Sequence, residues 1–179
     1  MNTDNTDIIN KLKQIRLLLL DVDGVLTDGS IIYNDNGSET KIFNVKDGLG
    51  IRLLMDSGIR TGIVTGRASK ALLCRCKNLG IELIFDGIKD KSSVFDLIMR
   101  KTGLLSKQIA FMGDDMPDIS LMKLTGISAA TADAHETIKQ YADIITVNKG
   151  GHGAVRELCE TILKAQGLWE EITERYINS

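Results

Sequence analysis

The sequence holds no apolar run approaching the roughly 20 residues that a membrane-spanning helix needs. Nor does it carry an excess of charge: 22 lysines and arginines stand against 24 aspartates and glutamates, for a formal net charge of -2. The first absence excludes a helical span. The second removes any compositional reason to expect a nucleic-acid partner, although a local basic patch stays open. Cysteine is scarce, and three in 179 residues is an odd number that does not suggest a disulfide framework. Cys74 and Cys76 fall two apart in an expected helix, about 200° around its axis. That is a poor placement for holding one metal, so core or surface thiols in a reducing compartment, the cytoplasm, are expected. Residues 1–14 are polar and acidic where a secretory signal would be basic and then apolar, and read as a leading helix or frayed end. There is no internal repeat and no low-complexity linker. What remains, 43% hydrophobic and 26% charged residues, is ordinary for a globular chain. A single domain over 1–179 with a sizeable core is expected.

The most informative stretch is Leu17-Leu18-Leu19-Leu20-Asp21-Val22-Asp23-Gly24-Val25-Leu26-Thr27. A short apolar run that stops at two carboxylates and a glycine reads as a strand buried on both faces, with chemistry at its C-terminal end. Two acids held close repel, so Asp21 and Asp23 suggest a bound cation or one acid kept protonated. A plain turn after a strand is the competing reading of Asp-x-Asp.

After this strand, two β-prone segments flank Asn36-Gly37, a strong hairpin signal. Over 40–45 the alternation puts Lys41, Phe43 and Val45 on one side and Ile42 and Asn44 on the other. A lone hairpin is marginal in water, so this one, over about 30–45, is expected to seek a partner. Strands and helices then alternate. A helix from 46 ends at Gly58, a strand covers 61–65, a helix 69–79, a strand 83–85, a helix 91–102 and a strand 108–112. A further helix opens at 113–118. Strands are expected at 127–130 and 144–147 with a helix over 134–141 between them, then a helix over 154–166 and a helical tail over about 167–179. This order predicts an α/β fold: a doubly wound, mostly parallel sheet with a β-hairpin insertion after the first strand and no cap domain.

Such a sheet can bring Asp21 and Asp23, Thr65, Lys91, and Asp114, Asp115 and Asp118 to one edge. Carboxylates suit a magnesium ion, which takes hard oxygen ligands. A hydroxyl, a lysine and backbone amides of glycine-containing turns suit a phosphoryl group. Together they describe metal-assisted phosphoryl transfer to an aspartate.

Asp-Val-Asp-Gly-Val-Leu-Thr at 21–27, Thr65, Lys91 and Gly-Asp-Asp at 113–115 with Asp118 resemble, in order and spacing, the four signature motifs of the haloacid dehalogenase-like phosphatase superfamily. The resemblance implies an Asp21 nucleophile that forms an aspartyl-phosphate, and Asp23 as general acid and then base. It implies Thr65 and Lys91 on the phosphoryl oxygens. Magnesium would be held by Asp21, the Asp23 carbonyl and Asp114, with Asp115 or Asp118 in support. The intervals between motifs leave no room for a lid domain, which resembles the uncapped branch. Further segments, among them Phe43-Asn44-Val45-Lys46-Asp47-Gly48, Thr65-Gly66-Arg67, Ala132-Asp133-Ala134-His135 and 150–157, resemble members that act on eight-carbon sugar-acid phosphates of lipopolysaccharide synthesis and form tetramers. That implies a sugar-acid phosphate substrate, with Gly66, Arg67 and Lys46 as contacts, Arg67 pairing with a substrate carboxylate. It also implies a homo-oligomer, a tetramer built through the hairpin, with neither nucleic acid nor membrane as partner.

Other readings stand beside these. Arg67 has the alternatives of pairing with a nearby acid or capping a helix. The loop at 150–153 either cradles an anion or turns the chain. His135 and His152 are expected to be structural, and Asp133 a turn or cap residue. A relative acting on nine-carbon, sialic-acid-type phosphates is the rival within the enzyme class. A receiver-like phospho-acceptor or scaffold protein is the rival outside it.

Overall fold

The computed structural model describes residues 3–178. Its centre is β1 (Leu17–Leu20), four leucines that are all fully buried. Successive side chains on a strand point to opposite faces. Leu18 and Leu20 accordingly join one apolar cluster and Leu17 and Leu19 the other. The continuous run in the sequence is thus two half-cores read in alternation, each leucine contributing about 1.5–3 kcal/mol by burial.

The sheet is completed by β4 (Arg60–Val64), β5 (Leu83–Phe85), β6 (Ile109–Gly113), β7 (Ile127–Ala130) and β8 (Ile144–Ile145). Its order is β5-β4-β1-β6-β7-β8 and every pairing is parallel, β1 lying level with β4 and β6 through Leu20↔Ile63 and Leu20↔Met112. One face carries α2 (Val45–Asp56), α3 (Lys70–Leu79) and α7 (Ala154–Ala165), with α1 (Thr3–Leu12) and α8 (Trp169–Ile177) reaching the same cluster through Leu12 and Ile172. The other face carries α4 (Phe95–Thr102), α5 (Ile119–Met122) and α6 (Glu136–Lys139). The doubly wound parallel sheet is as the alternation predicts. Among the described residues no helix is long and apolar enough to cross a membrane, and Cys74, Cys76 and Cys159 are all free.

Several elements differ from expectation, each for a local reason. The hairpin pairs only β2 (Ile32–Tyr33) with β3 (Glu39–Thr40), closing over a loop in which Gly37 takes φ +77°. Lys41 and Phe43 do turn inward and Ile42 outward, but Asn44 ends the alternation. Its Oδ1 accepts the Lys46 N–H at 2.8 Å, capping α2 and making Val45 the first helical residue, 79% exposed. The strand expected over 144–147 stops at Ile145 because the Glu157 carboxylate takes the N–H groups of Val147 and Asn148. The helix expected over 134–141 contracts to α6, with His135 as its N-cap. The helix expected from 91 opens instead with a 3₁₀ turn, Lys91–Val94, before α4.

Candidate active site

The C-terminal ends of β1, β4 and β6 open into a cleft of about 320 Å³. Asp21, Asp23, Thr65, Gly66, Arg67, Lys91, Asp114, Asp115 and Asp118 all line it; Lys46 does not, being exposed at the start of α2. A larger cavity of about 470 Å³ lies at the opposite ends of β4 and β5, around Ile59, Arg60, Glu82 and Lys101. It contains none of the aspartates and is remote from the chemistry.

Lys91 is the pivot of the cleft. Its side chain is 4% exposed, its ammonium lies 2.8 Å from Asp21 Oδ1, and it donates to Asp118 Oδ1. Burial opposes its charge, yet the two carboxylates outweigh that and raise its pKa. The second oxygen of Asp118 accepts the N–H groups of Asp114 and Asp115 at 2.9 and 3.2 Å. Asp118 therefore shapes the turn after β6 and orients Lys91 with the same carboxylate. Asp115 caps the following 3₁₀ turn through the Met116 N–H.

Carboxylate oxygens of Asp21, Asp114 and Asp118 lie within 4.8 Å of one another. Burial pushes the Asp21 carboxyl upward, opposed by Lys91 and reinforced by Asp118. Burial likewise raises Asp114, and repulsion from Asp21 and Asp118 adds to it. Crowded carboxylates that resist ionisation are a donor set a divalent cation relieves, and hard oxygen donors are what Mg²⁺ requires. With both oxygens of Asp118 already engaged, Asp21 and Asp114 are the groups free to turn toward an ion. Gly24 makes room for one of them: a Cβ there would stand 2.0 Å from Asp114 Oδ2, and the residue holds φ +84°.

Thr65 is buried at the end of β4, where its N–H donates to the Phe85 carbonyl and its own carbonyl accepts from Ile88. Its place in the cleft is therefore fixed by backbone bonds across to β5 and the loop after it. Arg67 pairs with nearby acids, Nη2 lying 3.1 Å from Glu39 Oε2 and Nε 3.5 Å from Asp23 Oδ2, and it also lines the cleft. The loop at 150–153 packs backbone on backbone against the turn after β1. A Cβ on Gly150 would stand 1.8 Å from the Gly24 carbonyl oxygen, and the Gly151 N–H donates to the Val25 carbonyl at 2.9 Å. Asp133 Oδ1 accepts the Gly150 N–H. The rings of His135 and His152 serve local backbone contacts, to the Thr137 N–H and the Gly150 carbonyl.

Two residues beside the cleft, Lys41 and Glu39, are not marked by any motif. Lys41 bonds to Asp23 Oδ1 and lies 2.7 Å from Glu39 Oε1, with its side chain 2% exposed. The signal that could have found it is the hairpin alternation itself, which turns a lysine to the same side as Phe43.

Comparison with known proteins agrees with this geometry. The haloacid dehalogenase-like hydrolase family matches residues 81–158. The chain is 44% identical to the 3-deoxy-D-manno-octulosonate 8-phosphate phosphatase KdsC of Escherichia coli, over 93% of this chain and 89% of that protein. The crystal structure of the phosphatase of that name from Yersinia pestis superposes with a TM-score of 0.90 at 43% identity, covering 92% of this chain and 89% of the other. The one from Moraxella catarrhalis, in complex with a magnesium ion, a phosphate ion and a KDO molecule, superposes with a TM-score of 0.93 at 42% identity, covering 96% and 98%.

Proposed function

Because the chain belongs to the haloacid dehalogenase-like hydrolases, we propose that its cleft hydrolyses 3-deoxy-D-manno-octulosonate 8-phosphate to 3-deoxy-D-manno-octulosonate and inorganic phosphate, with Mg²⁺, in lipopolysaccharide sugar synthesis. The observation that carries the reading is the meeting of Asp21, Lys91, Asp114 and Asp118 at the end of β1, in a chain so similar to phosphatases of that name.

In this reading an Asp21 oxygen attacks phosphorus and the bond to the sugar oxygen breaks, leaving an aspartyl-phosphate. Asp23 gives its proton to the departing oxygen, then takes one from the water whose oxygen displaces Asp21 from phosphorus. Lys91 and Thr65 meet the phosphoryl oxygens, and the Gly66 backbone borders them. Asp118 holds Lys91 and the 113–118 turn in place, and Asp115 caps that turn. Mg²⁺, held by Asp21, Asp114 and the Asp23 carbonyl, offsets the charge of the carboxylates and the phosphoryl group together. Arg67 stands at the cleft mouth, half-exposed, and takes the sugar-acid carboxylate in exchange for its contacts with Glu39 and Asp23.

The same proposal extends to assembly and location. On its outward side the hairpin presents Ile32 and Ile42 to solvent, 41% and 64% exposed, apolar side chains suited to other copies in a tetramer. Lys46, outside this chain's cleft, contributes in this reading from a neighbouring copy. The whole chain is one domain, and its three free thiols suit the cytoplasm.

The test is phosphate release, with Mg²⁺ and then with EDTA, across phosphorylated sugar acids and plain sugar phosphates. Selectivity for the eight-carbon acid phosphate, lost with EDTA, is expected. Selectivity for a nine-carbon acid would move the substrate and keep the chemistry, and silence on every substrate would overturn the phosphatase reading. Arg67→Ala is expected to harm sugar-acid phosphate hydrolysis more than that of p-nitrophenyl phosphate. Equal losses would remove the carboxylate role.

A further inference from the structure

The hairpin reaches into the cleft through Lys41, the residue after β3. Its buried ammonium bonds to Asp23 Oδ1 and lies 2.7 Å from Glu39 Oε1. Arg67 closes the other side, 3.1 Å from Glu39 Oε2 and 3.5 Å from Asp23 Oδ2. The four side chains make a ring of alternating charge in which each carboxylate spans both cations.

The ring makes the two oxygens of Asp23 inequivalent. Oδ1 is held by a cation only 2% exposed, whereas Oδ2 faces Arg67, which is 39% exposed at the cleft mouth. Removing an ammonium from water is costly unless its partners are well placed, and here Glu39 both supplies a partner and offsets the added charge. A carboxylate that must meet a leaving oxygen and then a water on one trajectory gains from such a clamp, since a misplacement of about 1 Å can cost on the order of 100-fold in rate.

We propose that Lys41, steadied by Glu39, is the positioning residue for Asp23, fixing its carboxylate so that Oδ2 is the oxygen that exchanges protons. The inference rests on the reading of Asp23 as general acid and base. In the first step the proton on Oδ2 passes to the ester oxygen as the sugar oxygen–phosphorus bond breaks and the Asp21–phosphorus bond forms. In the second, Oδ2 accepts a proton from water as the water oxygen bonds to phosphorus and Asp21 leaves. Lys41 exchanges no atom in either step.

The test compares kcat/KM, which reports the first chemical step, for two substrates of the Mg²⁺-loaded enzyme. A sugar-acid phosphate leaves as an alkoxide that needs a proton; p-nitrophenyl phosphate leaves as a phenolate that does not. Lys41→Met is expected to lower kcat/KM about 10- to 100-fold on the sugar phosphate and less than about 3-fold on the aryl phosphate, with part of the loss recovered in Lys41→Arg. Asp23→Asn is the reference. If it lowers both substrates equally, the reading of Asp23 fails and the inference falls with it. If Asp23→Asn is selective and Lys41→Met is not, the inference alone is overturned. Should Lys41→Met fail to give a cooperative thermal transition, Glu39→Gln is measured in its place, with a smaller selective loss expected and an equal loss overturning the proposal.

Discussion

At Lys91 one ammonium group answers two carboxylates, and each of those carboxylates also serves elsewhere, Asp21 on the cleft floor and Asp118 on the backbone of the next turn. Substitution here consequently acts on charge and on shape together. Asp21→Asn keeps the size of the side chain but offers an amide that cannot form the covalent intermediate. It should lower phosphate release by on the order of 1,000-fold or more, while a thermal melt stays cooperative; retained turnover would remove Asp21 as nucleophile. Gly24→Ala tests the neighbouring packing. A left-handed backbone costs an L-residue about 1–2 kcal/mol, and the new methyl would meet Asp114 Oδ2 at 2.0 Å. Weakened Mg²⁺ binding in a calorimetric titration is expected, and unchanged affinity would show that Asp114 does not hold the ion. The places of Asp21, Thr65 and Lys91 in the cleft were legible in the sequence because each sits at the boundary of an element and their order is informative. Those of Lys41 and Glu39 were not, because the alternation turns Lys41 inward without saying which acid it meets; that depends on how the hairpin packs against the turn after β1.

Among the elements, the hairpin departs most from its sequence pattern and is also the one to which the proposed tetramer assigns the contact between copies. Phe43, on the inward side of the alternation, packs on the main core beneath the Arg75 guanidinium. Ile32 and Ile42, 41% and 64% exposed, are the residues that remain available. On the proposed tetramer, Ile32→Asp with Ile42→Asp is expected to give smaller species than the unsubstituted chain on a sizing column without lowering the cooperativity of unfolding. An unchanged elution position would place assembly on another surface. The long periodic elements, α2, α3 and α7, and the buried strands were readable because hydrophobic spacing is set by the element itself. The ends of β8 and β2–β3 were not, because a distant carboxylate, Glu157, and a local cap, Asn44, decide where backbone groups find partners.

For the molecule as a whole, the aspartate cluster makes stability depend on what occupies it. A ligand that binds only the folded state at 100 times its Kd stabilises by about 2.7 kcal/mol, and about 2–4 °C per kcal/mol is usual at this size. Saturating Mg²⁺ should therefore raise Tm by about 5–10 °C over the EDTA-treated protein, and Asp114→Ala should abolish the increment. A shift that survives Asp114→Ala would locate the ion elsewhere. The contact of Gly150 and Gly151 with the turn after β1 carries a consequence in time as well as in space. A ribosome delivers Asp21 well before the glycines that brace its loop, which follow on the order of 10 s later at about 5–20 residues per second. The central strand must also wait for β6 to emerge before both its edges are paired. A nascent chain thus carries Asp21 for a time without the loop that braces its turn, and the cleft takes shape only after Gly150 and Gly151 have followed.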